Sequence, residues 1–270
     1  MTKEAADMAI ECNTETVKVS IKNRVAVVEM NRPESLNALD EEMIRGLAAN
    51  LKQISTDENV DIVVLKGSGR AFSSGGDIKT MLSSTNESDF YTVMDCISDL
   101  VITLYTMPKL TISSVTGAAA GLGFSLALAT DYILADKSSK LAMNFIGIGL
   151  IPDGGSHFFL ERKLGEDKAK HLIWEGKAMP AEEAFQNGLI HEIAVGNIEE
   201  ALNAKIENWL SKPVSAMIKT KKILAEKNRP QLLKMLELEK HGQYKMRSTE
   251  DHQEGIKAFI EKRKPVFKGK

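Results

Sequence analysis

Apolar and polar residues alternate along 17–21 and again along 24–30, with Lys22-Asn23 between them, and the pattern predicts the two strands of a hairpin. Pro33 interrupts. From Asp40 to about Ile54 the apolar residues recur at helical spacing, with Leu47 and Leu51 on one face. The β-branched run 61–66 reads as a strand. The segment 83–89, rich in serine, threonine and asparagine, is expected to be a mobile loop near the site. From Phe90 to Thr106 apolar residues at Val93, Ile97, Leu100, Val101 and Leu104 predict a helix, which Pro108 closes. A second β-branched run, 110–115, reads as a buried strand. It leads through Gly117, a run of small residues and Gly121-Leu122-Gly123 into an Ala/Leu-rich segment that reads as a helix buried on most sides, followed by a strand at 131–135.

After Asn197 the pattern is helical throughout: 198–210, 214–227, and 230 to about 264. Strand and helix alternate in the first two thirds, which argues for an α/β core with parallel pairing. The expected organisation is a frayed extension over 1–16, a core over 17–196 and a helical region over 197–270.

Composition narrows the classes. The chain has 270 residues, 43% hydrophobic and 27% charged, with a formal net charge of −2, enough for one large domain with a full core. Near-neutral charge gives no reason to expect nucleic acid or a membrane surface as a partner. No apolar run approaches the roughly 18 residues of a transmembrane helix. The acidic start lacks a basic and apolar leader, so no secretory signal is expected. Cys12 and Cys96 have no metal-ligand spacing, the histidines show none either, and free thiols suit a reducing, cytoplasmic setting.

Two glycine-rich junctions carry the candidate chemistry. One is Gly117 to Gly123. The other is Gly69-Arg70-Ala71-Phe72-Ser73-Ser74-Gly75-Gly76-Asp77-Ile78, which also follows a strand and leads towards a helix. Glycine lets the chain turn tightly and lets another group approach, and the first amides of a helix have no internal acceptor. Two such junctions could aim one amide each at a developing oxyanion, or could be turns packed for their own sake. Asp153, in Pro152-Asp153-Gly154-Gly155, is ambiguous in the same way: on its residues alone, Asp-Gly-Gly suits a catalytic acid or an N-cap for 156–163 equally well.

These junctions, together with Asn31-Arg32-Pro33, Asn37-Ala38-Leu39, Ile148-Gly149-Leu150-Ile151, Ala181-Glu182-Glu183-Ala184, Asn187-Gly188-Leu189-Ile190 and the C-terminal Gly255 to Pro265, make the chain resemble the enoyl-CoA hydratase/isomerase (crotonase) superfamily over nearly its whole length. The resemblance implies a spiral of β-β-α units with a C-terminal helical region used in trimerisation, a homotrimer or dimer of trimers, and no resident cofactor, coenzyme A arriving as part of an acyl thioester.

Carried over position by position, the resemblance places oxyanion amides at Gly76 and Leu122. It places nucleotide and pantetheine contacts at Ala38, Ala71, Ser73, Asp77 and Ile78, acyl contacts at Gly121 and Phe145, and a nucleotide contact from a neighbouring subunit at Phe259 and Lys262. The two glutamates of family hydratases would fall at Ser125 and Phe145, neither of which can act as a carboxylate. The matching position of family isomerases is Asp153, a single acid that could shuttle one proton. The expected activity is therefore an enoyl-CoA isomerase. The competing readings are a hydratase, an isomerase of ring-modified aryl-acetyl thioesters, and a non-catalytic acyl-CoA-binding protein. His157, beside two phenylalanines, is read as packing.

Overall fold

The computed structural model describes residues 14–78 and 87–270. Six strands make the main sheet: β1 (Val17–Lys22), β2 (Val25–Met30), β3 (Ile62–Gly67), β4 (Leu110–Val115), β6 (Tyr132–Asp136) and β9 (Glu192–Ala194), side by side in that order. The hairpin β1–β2 is antiparallel and every other neighbour in this sheet is parallel. Period-two alternation sends the side chains of β3 to opposite faces. Val63 and Leu65 join the larger core, under α1 (Glu41–Thr56) and α2 (Glu87–Thr106), while Ile62 and Val64 join a second cluster. That second face is covered by α7 (Ile198–Leu210) and the start of α8 (Val214–Arg247), through Ile198, Leu202 and Val214.

Sequence patterning anticipates α1, whose cap Asp40 accepts from the Met43 amide at 2.9 Å, and the helix containing Phe90. The loop expected over 83–89 falls largely outside the described residues, and Glu87 to Asp89 already belong to α2. Most of the expected N-terminal extension, 1–13, also lies outside them. Thr16 is buried, and its carbonyl accepts from the Asn31 amide at 2.8 Å.

Two expectations are corrected. The small-residue run before the buried helix is a strand, β5 (Ala118–Ala120), which pairs parallel with β7 (Lys140–Ala142), itself antiparallel to β8 (Ala178–Pro180). The helix proper, α3, is only Leu122–Leu128, with every residue buried. Alanine has low strand propensity, but here the run is held by backbone bonds on both sides, to Ser73 and to β7.

The second correction concerns Pro230, which does not end a helix. α8 runs unbroken from Val214 to Arg247, and the break comes at Ser248, before α9 (Glu250–Ile260). Proline removes one intrahelical donor and crowds the preceding turn. Packing overrides that cost. Leu232 and Leu236 are buried in the core, and the Asn228 side chain donates to the Leu224 carbonyl at 2.6 Å while accepting from Arg162 at 3.0 Å. Near the helix start, Lys221 reaches Asp131 and the Lys109 carbonyl, each at 2.8 Å, fixing α8 to the sheet.

Candidate active site

The two glycine junctions meet. Ser73 pairs with Ala119 as a parallel bridge, its amide donating to the Ala118 carbonyl at 3.0 Å and its carbonyl accepting from the Ala120 amide at 2.9 Å. A Cβ on Gly75 (φ +98°) would lie 2.9 Å from the Ala120 oxygen, and one on Gly123 would lie 2.6 Å from the Ser73 Cβ, so only glycine permits this approach.

The same lacing leaves two amides available. Leu39 bridges Gly76 in parallel register, donating to the Gly75 carbonyl at 2.8 Å and accepting from the Asp77 amide at 3.0 Å. In a parallel bridge the central residue's own N–H points the other way. Among the described residues the Gly76 amide has no acceptor. Leu122 is the first residue of α3, so its amide has no intrahelical acceptor, and Gly121 before it adopts φ +51°, ψ −128°, a glycine-only conformation.

Gly76 and Leu122 line one cavity of about 270 Å³ together with Asp153. Its walls include Leu39, Ile44, Phe90, Val93, Met94, Ile97, Phe145, Ile148 and Leu150, and its charged groups are Glu41, Asp77, Asp153 and Arg247. Arg247 stacks its guanidinium on the Phe90 ring, 4.9 Å from the centroid. Asp77 pairs with Arg32 at 3.0 Å.

Asp153 does not cap a helix. The N-cap of α4 (Ser156–Leu164) is Gly155, with no side-chain cap bond. Asp153 is 8% exposed; its Oδ1 is buried with no hydrogen-bond partner among the described residues, and Oδ2 has only a 3.4 Å contact from Gln243 Nε2. Burial pushes this carboxyl up to about 8, and the nearby charge of Glu239 adds to the shift. The turn that carries it presses on α3: a Cβ on Gly154 would lie 2.7 Å from Leu122 Cδ1 and 2.9 Å from the Ser125 Cβ.

The expected residues divide by place. Gly76, Asp77, Ile78, Gly121, Leu122, Phe145, Asp153 and Phe259 line the cavity. Ala38, Ala71 and Ser73 are buried behind it. The Ala38 and Ala71 carbonyls accept from Arg32 at 2.7 Å and from Asn37 at 2.8 Å, and the Ser73 hydroxyl donates to the Asn37 carbonyl at 2.8 Å. These three shape the loop rather than its surface. Phe259, 59% exposed, edges the cavity of its own chain, whereas Lys262 lies outside the lining, in a left-handed turn at φ +54°. Ser125 is fully buried, with its hydroxyl between the Gly121 carbonyl, the Asp153 carbonyl and the Ser156 hydroxyl.

Sequence reasoning missed Glu239 and Gln243 on α8. A signal existed: Leu232, Leu236, Glu239 and Gln243 are spaced +4, +3, +4, one helical face, and two polar residues interrupting a buried stripe are unusual.

The family model described as "Enoyl-CoA hydratase/isomerase" matches residues 20–270. The chain is 46% identical over 253 residues to YhaR of Bacillus subtilis, covering 94% of this chain and 99% of that protein. It is 32% identical over 254 residues to a 1,2-epoxyphenylacetyl-CoA isomerase of Escherichia coli, covering 93% of this chain and 97% of the relative. The crystal structure of an enoyl-CoA hydratase from Mycobacterium avium subsp. paratuberculosis superposes with a TM-score of 0.86 at 31% identity, covering 94% of this chain and 98% of that one.

Proposed function

The chain belongs to the enoyl-CoA hydratase/isomerase family, and from that membership we propose that it is a single-acid enoyl-CoA isomerase. The observation that carries this reading is Asp153, which lines the same cavity as Gly76 and Leu122 and whose buried Oδ1 has no hydrogen-bond partner among the described residues. The thioester oxygen of a 3-enoyl-CoA rests on the two amides. The Asp153 carboxylate takes a proton from carbon 2, and the electron pair moves into the thioester carbonyl as an enolate held by both donors. The carboxylic acid returns the proton at carbon 4, the double bond now lies between carbons 2 and 3, and Asp153 is again ionised. Loss of one such amide donor costs about a hundredfold or more in rate.

Water addition by two glutamates has no support at Ser125 or Phe145. Ser125 spends its hydroxyl on backbone and serine partners, and Phe145 presents a ring to the cavity. A ring-modified aryl-acetyl thioester is a second substrate class for the same acid. It is favoured by the likeness to the 1,2-epoxyphenylacetyl-CoA isomerase and by the aromatic wall of Phe90 and Phe145. Coenzyme A enters with the substrate, with Phe259 at the cavity edge and Lys262 beyond it as its contacts. Assembly is a trimer or a dimer of trimers through the C-terminal helices, whose exposed Ile223, Leu224 and Leu238 supply apolar surface for it.

The deciding experiment is turnover of a panel of 2-enoyl, 3-enoyl and aryl-acetyl thioesters, with products resolved by mass and double-bond position. Interconversion of 2- and 3-enoyl isomers without a gain of water is the expected result. Hydrated products would replace this reading with a hydratase, and binding without turnover would replace it with a carrier.

A further inference from the structure

Beside Asp153 lies a second buried carboxylate that the proton shuttle does not use. Glu239 is 2% exposed, and both its oxygens are occupied. Oε2 accepts from the Gly155 amide at 2.7 Å, and Oε1 accepts from the His157 amide at 3.1 Å and from His157 Nδ1 at 2.7 Å. A carboxylate can only accept, which assigns the ring proton to Nδ1. The two backbone donors are free amides at the start of α4, where the helix dipole favours negative charge. Glu239 thus supplies, from 84 positions along the chain, the cap that Gly155 cannot.

One turn further along α8, Gln243 donates to the Ile151 carbonyl and approaches Asp153 Oδ2 at 3.4 Å. The two α8 side chains grip the chain on both sides of Asp153, at Ile151 before it and at Gly155 and His157 after it. The gripped stretch contains Gly154 (φ +65°) and Gly155 (φ +77°), the residues with the greatest backbone freedom in the segment.

We propose that Glu239 and Gln243 are positioning residues of the active site, pinning the turn that carries Asp153 so that its carboxyl keeps its place at the cavity wall. The inference rests on Asp153 being the acid of the proposed isomerase. Position matters because a displacement of about 1 Å can cost on the order of a hundredfold in rate. The negative charge of Glu239 also opposes ionisation of its neighbour, in the same sense as burial. Among the described residues, the other ionisable groups around this pair are His157, on α4 and bonded to Glu239, and Glu41, Asp77 and Arg247 at the cavity wall.

The test compares Glu239→Gln, Glu239→Asp, Gln243→Leu and Asp153→Asn in the full-length protein, reading kcat, KM, the pH profile and thermal stability. Gln243→Leu releases Oδ2 and should lower kcat about tenfold or more with KM within about twofold. Glu239→Gln turns an amide N–H towards amide donors and removes the charge, so kcat should fall and the acid limb of the profile should move to lower pH. Glu239→Asp keeps the charge and shortens the reach, so the limb should stay while kcat falls.

Lower thermal stability with kcat and the limb unchanged in all three variants would make α8 merely structural here and overturn the proposal. Should Glu239→Gln not fold, Gln243→Leu carries the test alone through its split of kcat from KM. Carbon-13 NMR of the Asp153 carboxyl, assigned by its loss in Asp153→Asn, reads the titration without turnover. A midpoint unmoved by Glu239→Gln would overturn the electrostatic part. A fully active Asp153→Asn enzyme would instead overturn Asp153 as the acid of the proposed reaction while leaving the NMR result standing.

Discussion

The hydroxyl oxygen of Ser125 lies 2.9 Å from the carbonyl oxygen of Asp153 and 2.6 Å from the hydroxyl of Ser156. A position that could have held a carboxylate is instead a strut between α3 and the Asp153 turn. The Ser156 hydroxyl also lies 2.9 Å from the Asp153 carbonyl; with one proton each, one hydroxyl donates to that carbonyl and the other to its neighbour, and either can serve the carbonyl alone. Ser125→Ala should therefore cost only about 1 kcal/mol of stability in a urea titration and leave turnover within about threefold. Ser125→Glu should cost far more, since no space or partner awaits a carboxylate beside Gly154.

Asp153 predicts a pH dependence with a definite sign. Its carboxyl is pushed up to about 8, above the ordinary 3.8. As a base it must be ionised, so isomerisation by the free enzyme should fall as pH drops below about 8. Asp153→Asn should lower turnover by about a hundredfold or more while coenzyme A thioester binding, read by calorimetry, changes little.

Stability gives an independent reading of the same carboxyl. The folded state holds this proton more tightly than the unfolded chain does. That contribution is fully present below about pH 4 and is lost as pH rises through about 8. Asp153→Asn cannot ionise, so its melting temperature relative to wild type should rise between pH 5 and pH 9.

His191 behaves in the opposite sense. Its Nδ1 accepts from the Ile133 amide at 2.9 Å, and burial, assisted by the charge of Lys163, lowers the ring to about 4 from 6.5. The native contribution is complete above pH 6.5 and is lost as pH falls towards 4. His191→Asn keeps an acceptor without a titrating ring and should flatten the fall in melting temperature between pH 6.5 and pH 4.5.

Gly76→Pro removes the amide assigned to the thioester oxygen. Turnover should drop by about a hundredfold or more with circular dichroism unchanged. Wild-type turnover in a folded Gly76→Pro protein would exclude Gly76 as an oxyanion donor.

Much of this architecture was legible because local chemistry and global fold agree. Period-two runs located β1 and β2, β-branched runs located β3 and β4, Asp40 announced α1, and the paired glycine junctions marked where two backbones come together. Three features were not legible, each for a physical reason. β5 is all alanine, and it is held by backbone bonds to Ser73 and β7, partners that no local window contains. Pro230 is a helix breaker by local rules, overruled by Leu232 and Leu236 in the core. The grip on Asp153 comes from Glu239 and Gln243, too far along the chain for any local window, and only the interrupted apolar stripe of α8 pointed to them. The ambiguity at Asp153, acid or cap, was likewise resolved against the cap by a glutamate from another helix.

The second hydrophobic cluster has a bearing on how the protein is made. Val25, Ile62, Val64, Leu110 and Ile112 present their face of the main sheet to α7 and the first turn of α8. During synthesis those strands leave the ribosome well before residues 198–214 do, so the growing chain passes through an interval with a broad apolar sheet face uncovered. A message cut short before α7 would not yield a feeble enzyme. Its product would be a sticky, chaperone-dependent fragment, both glycine junctions already made and nothing to cover the sheet behind them.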